Sequence, residues 1–300
     1  MSDYKHLSES ACEVMNLSNQ ERIHHILKDR WVGYDRANEL LTKLDDLIAH
    51  PKVERMPNML IIGDSNNGKT RLINYFASKN PAHDNPSGEN ISVPVLLLEA
   101  PSNGDINHLY KKILDILISP YKPNTKSDAL EEQVIKVLSK IDLGIIVIDE
   151  IHNLLTGSAR EQRHFLTALK SLGNLLQVPI VGVGTEEAFR AFLTDPQISN
   201  RFVAERLAKW KLDNQFLRFL ASIERIIPLR DSSNLIEKDI ATKIYAMTEG
   251  LIGEISTLLN KAAVWAIKHS KPGQAECITM DALNKCGYIS PSVRVSHQKN

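Results

Sequence analysis

From Asp35 the apolar positions Ala37, Leu40, Leu41, Leu44, Leu47 and Ile48 recur at i, i+3, i+4 and i+7, so this stretch predicts an amphipathic helix with one packed face. Upstream, Ser18 and Glu21 have capping-box spacing and predict a short helix over residues 22–28, preceded by a loosely held arm. After Pro51 and Pro57 the pattern changes to short, nearly continuous apolar runs at residues 58–62, 93–98, 144–148 and 179–183. Each is bounded by turn or polar residues, as strands buried on both faces are. Helix-length segments at residues 69–79, 105–118, 130–139 and 158–176 lie between them. Strands alternating with helices predict right-handed crossovers and a three-layer parallel α/β sheet. A last strand is expected over residues 207–212.

Beyond Asp213 the period is helical throughout: Phe216, Leu217, Leu220 and Ile223, then Ile240, Ile244 and Met247, then Ile255, Leu258, Leu259 and Ala262. The organisation read from the pattern is an N-terminal arm with a short helix (1–30), an α/β core (31–212), a small helical domain (213–289) and a polar, mobile tail (290–300).

Composition changes this picture little. Hydrophobic residues make up 43% and charged residues 24% of the 300 residues, which is ordinary globular usage. No apolar run approaches the roughly 20 residues that span a bilayer, and the polar start lacks an apolar leader core, so a cytoplasmic protein without a membrane partner is expected. Cys12, Cys277 and Cys286 have neither disulfide-framework nor zinc spacing. Lys plus Arg and Asp plus Glu both number 36, so nucleic-acid contact would have to come from a local patch.

The chemistry sits at strand ends. Gly63-Asp64-Ser65-Asn66-Asn67-Gly68-Lys69-Thr70 fits G-x-x-x-x-G-K-[ST] between a predicted strand and a predicted helix. Its glycines let backbone N–H groups turn inward around phosphates, and the helix N-terminus adds partial positive charge. Lys69 is placed for the β and γ phosphates of ATP, and the Thr70 hydroxyl for Mg2+. Residues 144–148 run into Asp149-Glu150, with Asp149 the candidate for magnesium and Glu150 for the attacking water. Thr185 ends the next strand, where it would sense the γ-phosphate or cap the helix that follows. Arg201, in Asp195-Pro196-Gln197-Ile198-Ser199-Asn200-Arg201-Phe202, is either a surface arginine or one that reaches a neighbouring subunit's ATP. His24-His25 and His152-Asn153 belong to no cluster with ligand spacing and read as structural or surface residues. Trp31, Trp210 and Trp265 read as core or interface residues.

Taken together, the sequence resembles the TniB and TnsC family of AAA+ transposition proteins. The resemblance rests on Trp31-Val32-Gly33-Tyr34 with Arg36-Ala37, the phosphate loop, and Ile148-Asp149-Glu150-Ile151-His152-Asn153-Leu154-Leu155. It continues through Gln162-Arg163, Val181-Gly182-Val183-Gly184-Thr185-Glu186-Glu187-Ala188, Asn200-Arg201-Phe202, Trp210-Lys211-Leu212 and Gly250-Leu251-Ile252-Gly253-Glu254-Ile255. The fold it implies is an AAA+ P-loop NTPase, a three-layer parallel sheet core with a small C-terminal helical lid. The activity it implies is ATP hydrolysis as an assembly switch, in rings or filaments of hexamer or heptamer type on double-stranded DNA. These would link a target selector of the TniQ type to the transposase. The resemblance further places Trp31, Val32 and Tyr34 near the adenine, makes Thr185 sensor 1 and Arg201 the arginine finger in trans, and turns the helix carrying Lys111 and Lys112 toward DNA. That lysine pair reads equally as a solvated helix face. Where many AAA+ lids place a sensor 2 arginine after a Gly-acidic pair, Gly253-Glu254 is followed by Ile255-Ser256. An AAA+ loader or initiator in replication or repair is the alternative, and a P-loop kinase acting on a small molecule is a more distant one.

Overall fold

The computed structural model describes residues 4–85, 90–193, 200–271 and 273–297. The chain divides into two compact units: Asp35–Leu207, and a helical unit formed by the residues up to Tyr34 together with those from Ala208 on.

In Asp35–Leu207 the six-stranded sheet has the order β2-β3-β4-β5-β1-β6. Its strands are β1 (Asn58–Ile62), β2 (His83–Asp84), β3 (Ile91–Glu99), β4 (Asp142–Asp149), β5 (Ile180–Gly184) and β6 (Phe202–Arg206). All pairings are parallel except that of β2 with β3. Side chains alternate across the sheet with period two. Leu60, Ile62, Leu96, Leu98, Ile146 and Ile148 face one core, shared with α5 (Ile106–Ile116), α6 (Ser127–Leu138) and α7 (Ala159–Leu176). The intervening Met59, Ile61, Ile145, Val147, Val181 and Val183 are also buried, and α3 (Asp35–Ile48) and α4 (Lys69–Lys79) pack against the strands. Burial on both faces is what the continuous apolar runs encode. Helix α8 (Glu186–Leu193) follows β5.

The final strand is not where the apolar pattern put it. It spans Phe202–Arg206, whereas residues 207–212 hold no strand. Among the described residues β6 is an edge strand paired with β1 alone, so it needs no continuous apolar run, and it carries Glu205. That carboxylate takes hydrogen bonds from Arg36 at 2.8 Å and Lys43 at 2.7 Å, which fastens α3 to the sheet edge. Trp210 belongs instead to an aromatic cluster of the helical unit, stacked 4.7 Å from Phe219.

The helical unit comprises α1 (Glu9–Val14), α2 (Asn19–Leu27), α9 (Asn214–Glu224), α10 (Lys238–Thr248), α11 (Ile252–His269), α12 (Met280–Lys285) and α13 (Pro291–His297). The Ser18–Glu21 capping box forms and starts α2. The segment expected as a loose arm carries α1, where Ala11 is 1% and Val14 8% exposed, and in the expected short helix Ile26 is fully buried in the helical core and Arg22 is 1% exposed. The Arg22 guanidinium pairs with buried Glu276 and donates to Pro228 O at 2.7 Å. The stretch expected as a mobile tail carries α13. The Ser292 N–H donates to Glu249 at 2.9 Å, and Arg294 pairs with Glu254. Glu254, the acidic member of the Gly253-Glu254 pair, is buried and also accepts from the Tyr288 hydroxyl at 2.6 Å. Burial and this carboxylate hold the Tyr288 phenol well above the usual tyrosine range.

Candidate functional site

Parallel strands bring their carboxyl ends to one edge, where open α/β sheets bind ligands. In register, Ile62 lies opposite Gly184, Ile148 opposite Gly182 and Glu99 opposite Asp149. The phosphate loop, the Asp149-Glu150 pair and Thr185 therefore share that edge.

The loop runs from β1 into α4. Asn66 and Gly68 take left-handed conformations, with φ of 58° and 82°, which turn successive backbone N–H groups into an anion-binding nest. Gly68 is the N-cap of α4 and supplies no side-chain cap, so the first-turn N–H groups stay available to an anion. A Cβ on Gly63 would stand 2.6 Å from the Leu207 carbonyl oxygen, which requires glycine there. Asn67 is 1% exposed, and its amide donates to the same carbonyl at 2.6 Å. This tie between the loop and the end of β6 is invisible in the motif, where Asn67 occupies a variable position. Asp64 and Ser65 lie exposed in the loop.

Lys69 donates to the Gly63 and Asp64 carbonyls at 2.9 and 2.8 Å. Burial pushes its ammonium below the usual lysine range, while Glu150, Asp149 and Asp64 pull it back. The Thr70 hydroxyl donates to Asp149 Oδ2 at 2.7 Å, so the two candidate magnesium ligands meet directly. Asp149 is 7% exposed, and its other oxygen accepts the Glu150 N–H at 2.8 Å. Hard oxygen donors of this kind suit Mg2+, which keeps several waters and takes few protein ligands. The Thr185 hydroxyl oxygen is buried without a hydrogen bond, so it does not cap α8.

Arg201 lies apart from this edge. Arg201 precedes β6 at the amino edge of the sheet, donating to Asn174 at 2.8 Å. The five residues of β1 separate that edge from the loop by about 16 Å, so Arg201 does not converge on its own chain's phosphate site. Residues 195–199 of its motif lie outside the described residues. Trp31, Val32 and Tyr34 belong to the helical unit, where Val32 and Tyr34 pack against the core and the Tyr34 ring lies 5.0 Å from Trp210. On α5, Lys111 donates to Pro123 O at 3.3 Å and Lys112 to Glu99 O at 3.1 Å.

A parallel sheet of this order, with a phosphate loop after β1, an acid pair after β4 and a helical unit, defines an AAA+ ATPase. The fold is similar to that of the Aeropyrum pernix ORC2 protein in its ADPNP-ADP complexes, at 13% identity and TM-score 0.62, covering 87% of this chain and 70% of that one. It is also similar to the Aeropyrum pernix ORC1 protein in complex with DNA (15%, TM-score 0.55, 92% and 69%) and to CDC6p from Pyrobaculum aerophilum (13%, 0.59, 87% and 69%). The chain belongs to the TniB family: residues 22–212 match the family of the bacterial TniB protein. No curated protein sequence matches it.

Among the described residues no helix is long and apolar enough to cross a membrane, and no group of three or more His, Cys, Asp or Glu side chains forms a metal site.

Proposed function

We propose that this AAA+ ATPase is a regulator of transposition that assembles on duplex DNA when it binds ATP and disassembles on hydrolysis. In that role it links a target selector of the TniQ type to the transposase. The observation that carries the reading is the separation of Arg201 from the phosphate loop: a site with both needs the amino edge of a second copy. The loop and Lys69 hold the phosphates, while Thr70 and Asp149 hold Mg2+. Bound there, the ion neutralises charge developing on the transferring phosphoryl group. Glu150 takes the proton of the attacking water. Thr185, its hydroxyl buried and unpaired, donates to the γ-phosphate. Arg201 of the adjoining copy stabilises the transition state, a contribution of about 10³ to 10⁵ in rate where such fingers act. The family match over residues 22–212 favours transposition over replication initiation, since the initiator-like neighbours share the fold alone.

Electron microscopy of the purified protein with duplex DNA and a non-hydrolysable ATP analogue tests this. Rings or filaments that need both components are expected. Single subunits under all conditions would overturn the proposal.

A further inference from the structure

Directly after β4 the backbone reverses sharply. Glu150 has φ 52° and ψ 38°, a left-handed conformation that a residue with a Cβ rarely adopts, and a 3-10 turn over Ile151–Thr156 follows. Two contacts hold this turn in place. Ile151 is 2% exposed and fills the space above two glycines of β5: a Cβ on Gly182 or Gly184 would come within 2.9 or 2.8 Å of its side chain. On the other side, the Asn153 amide donates to Ala100 O at 3.1 Å, and the Asn153 N–H returns to Glu150 O at 2.9 Å. His152 lies between these two anchors, with Nδ1 at 3.0 Å from Glu150 Oε2. Nδ1 is itself buried and has no aligned hydrogen bond, although the side chain as a whole is 35% exposed. Hydrogen bonds of catalytic groups are often long or poorly aligned before substrate binds, and they tighten with it.

We propose that His152 is a positioning residue for Glu150. With the proton on Nδ1, His152 donates to Oε2 and leaves Oε1 to face the water. This rests on the reading of Glu150 as the group that accepts the water proton. In that step the water oxygen bonds to the γ-phosphorus as the bond to the bridging oxygen of ADP breaks, and the proton passes to Glu150. His152 neither gains nor loses a proton. Its effect is geometric: it removes rotamers of Glu150 that point away from the water. Misplacements of about 1 Å cost up to 10²-fold in rate.

The test uses the full chain with duplex DNA, measuring turnover and the binding of a fluorescent ATP analogue. His152→Phe keeps a ring without a donor, whereas the amide nitrogen of His152→Asn can stand where Nδ1 stands. The phenylalanine variant should lose about 10-fold in kcat, with KM and analogue affinity within about 2-fold, and asparagine should restore at least about a third of turnover. In single turnover, adding His152→Phe to Glu150→Gln should change nothing further. A severe Glu150→Gln defect combined with equal turnover by the two His152 variants would overturn the role of His152 alone. So would a further full loss on adding His152→Phe to Glu150→Gln. Near wild-type turnover by Glu150→Gln would instead remove the reading of Glu150, and this proposal with it.

Discussion

Replacing Arg22 with methionine should destabilise the helical unit by about 3 kcal/mol, the lower end of the roughly 3 to 5 kcal/mol that follows when one partner of a buried pair is removed. Arg22 and Glu276 are each 1% exposed. The guanidinium also donates to Pro228 O at 2.7 and 3.2 Å and to Asn19 at 3.1 Å. Methionine fills much of the same volume but leaves the Glu276 carboxylate out of water. The lower end is chosen because Glu276 keeps the Arg230 N–H at 3.1 Å and the Arg230 guanidinium at 3.6 Å. With urea slopes of about 1 to 3 kcal/mol per molar, the unfolding midpoint should fall by roughly 1 to 3 M. Tryptophan fluorescence is the assay, because all three tryptophans, Trp31, Trp210 and Trp265, lie in the helical unit, so the signal is local to it. Arg22→Met combined with Glu276→Leu should regain at least half of the loss, since replacing both charges removes the stranded carboxylate. A single-variant shift below about 0.3 M would refute the buried-charge argument. A double variant worse than the single would show that packing, not charge, sets the cost.

Lys69→Ala should abolish tight binding of a fluorescent ATP analogue, as the loop loses its lysine. Arg201→Ala should bind the analogue almost normally as an isolated protein yet lose turnover by at least about 10²-fold; mixtures of the two variants should regain activity, and failure at every ratio would count against action in trans. Changing both Lys111 and Lys112 to alanine should weaken binding to unrelated duplexes alike and flatten the plot of log affinity against log salt by about 0.9 for each phosphate no longer neutralised. A wild-type slope would place the DNA surface elsewhere. Finally, hydrogen bonds from Lys43 and Arg36 lower the Glu39 carboxyl from 4.5 to about 2. A depressed acid stabilises above its unfolded value and loses that contribution as pH falls through its folded value. The small stability difference between wild type and Glu39→Gln should therefore shrink between about pH 4.5 and 2, read by hydrogen exchange of β6 amides. A difference constant with pH would exclude this linkage.

Much of the sheet is legible in the sequence because β1, β4 and β5 are buried on both faces and must be apolar at successive positions. β6 escapes that pattern because an edge strand is free of the requirement. Two-residue β2 is too short to carry a period. The Thr70–Asp149 contact is implied by two motifs, each at the end of its own strand. His152 carries no such signal because its partner is a carboxylate two residues away, not a metal cluster, and the twist that makes them face each other is a left-handed φ on a glutamate. The packing of α2 is equally hidden: Arg22 meets its partner Glu276 across most of the chain, and no local spacing connects the two.

That last pairing has a consequence for synthesis. Arg22 and Glu276 are 254 positions apart, with Asp35–Leu207 between the two stretches that build the helical unit. At about 5 to 20 residues per second, a ribosome takes roughly 13 to 50 s to make the carboxylate after the arginine. Throughout that interval the nascent α2 carries an apolar face without the core that will bury it. The nucleotide-binding unit, contiguous in sequence, has all its residues first. A stalled or truncated chain ending after Leu207 would thus display an unpaired amphipathic helix ahead of a fold that is already complete, the kind of exposed segment that chaperones and proteases recognise.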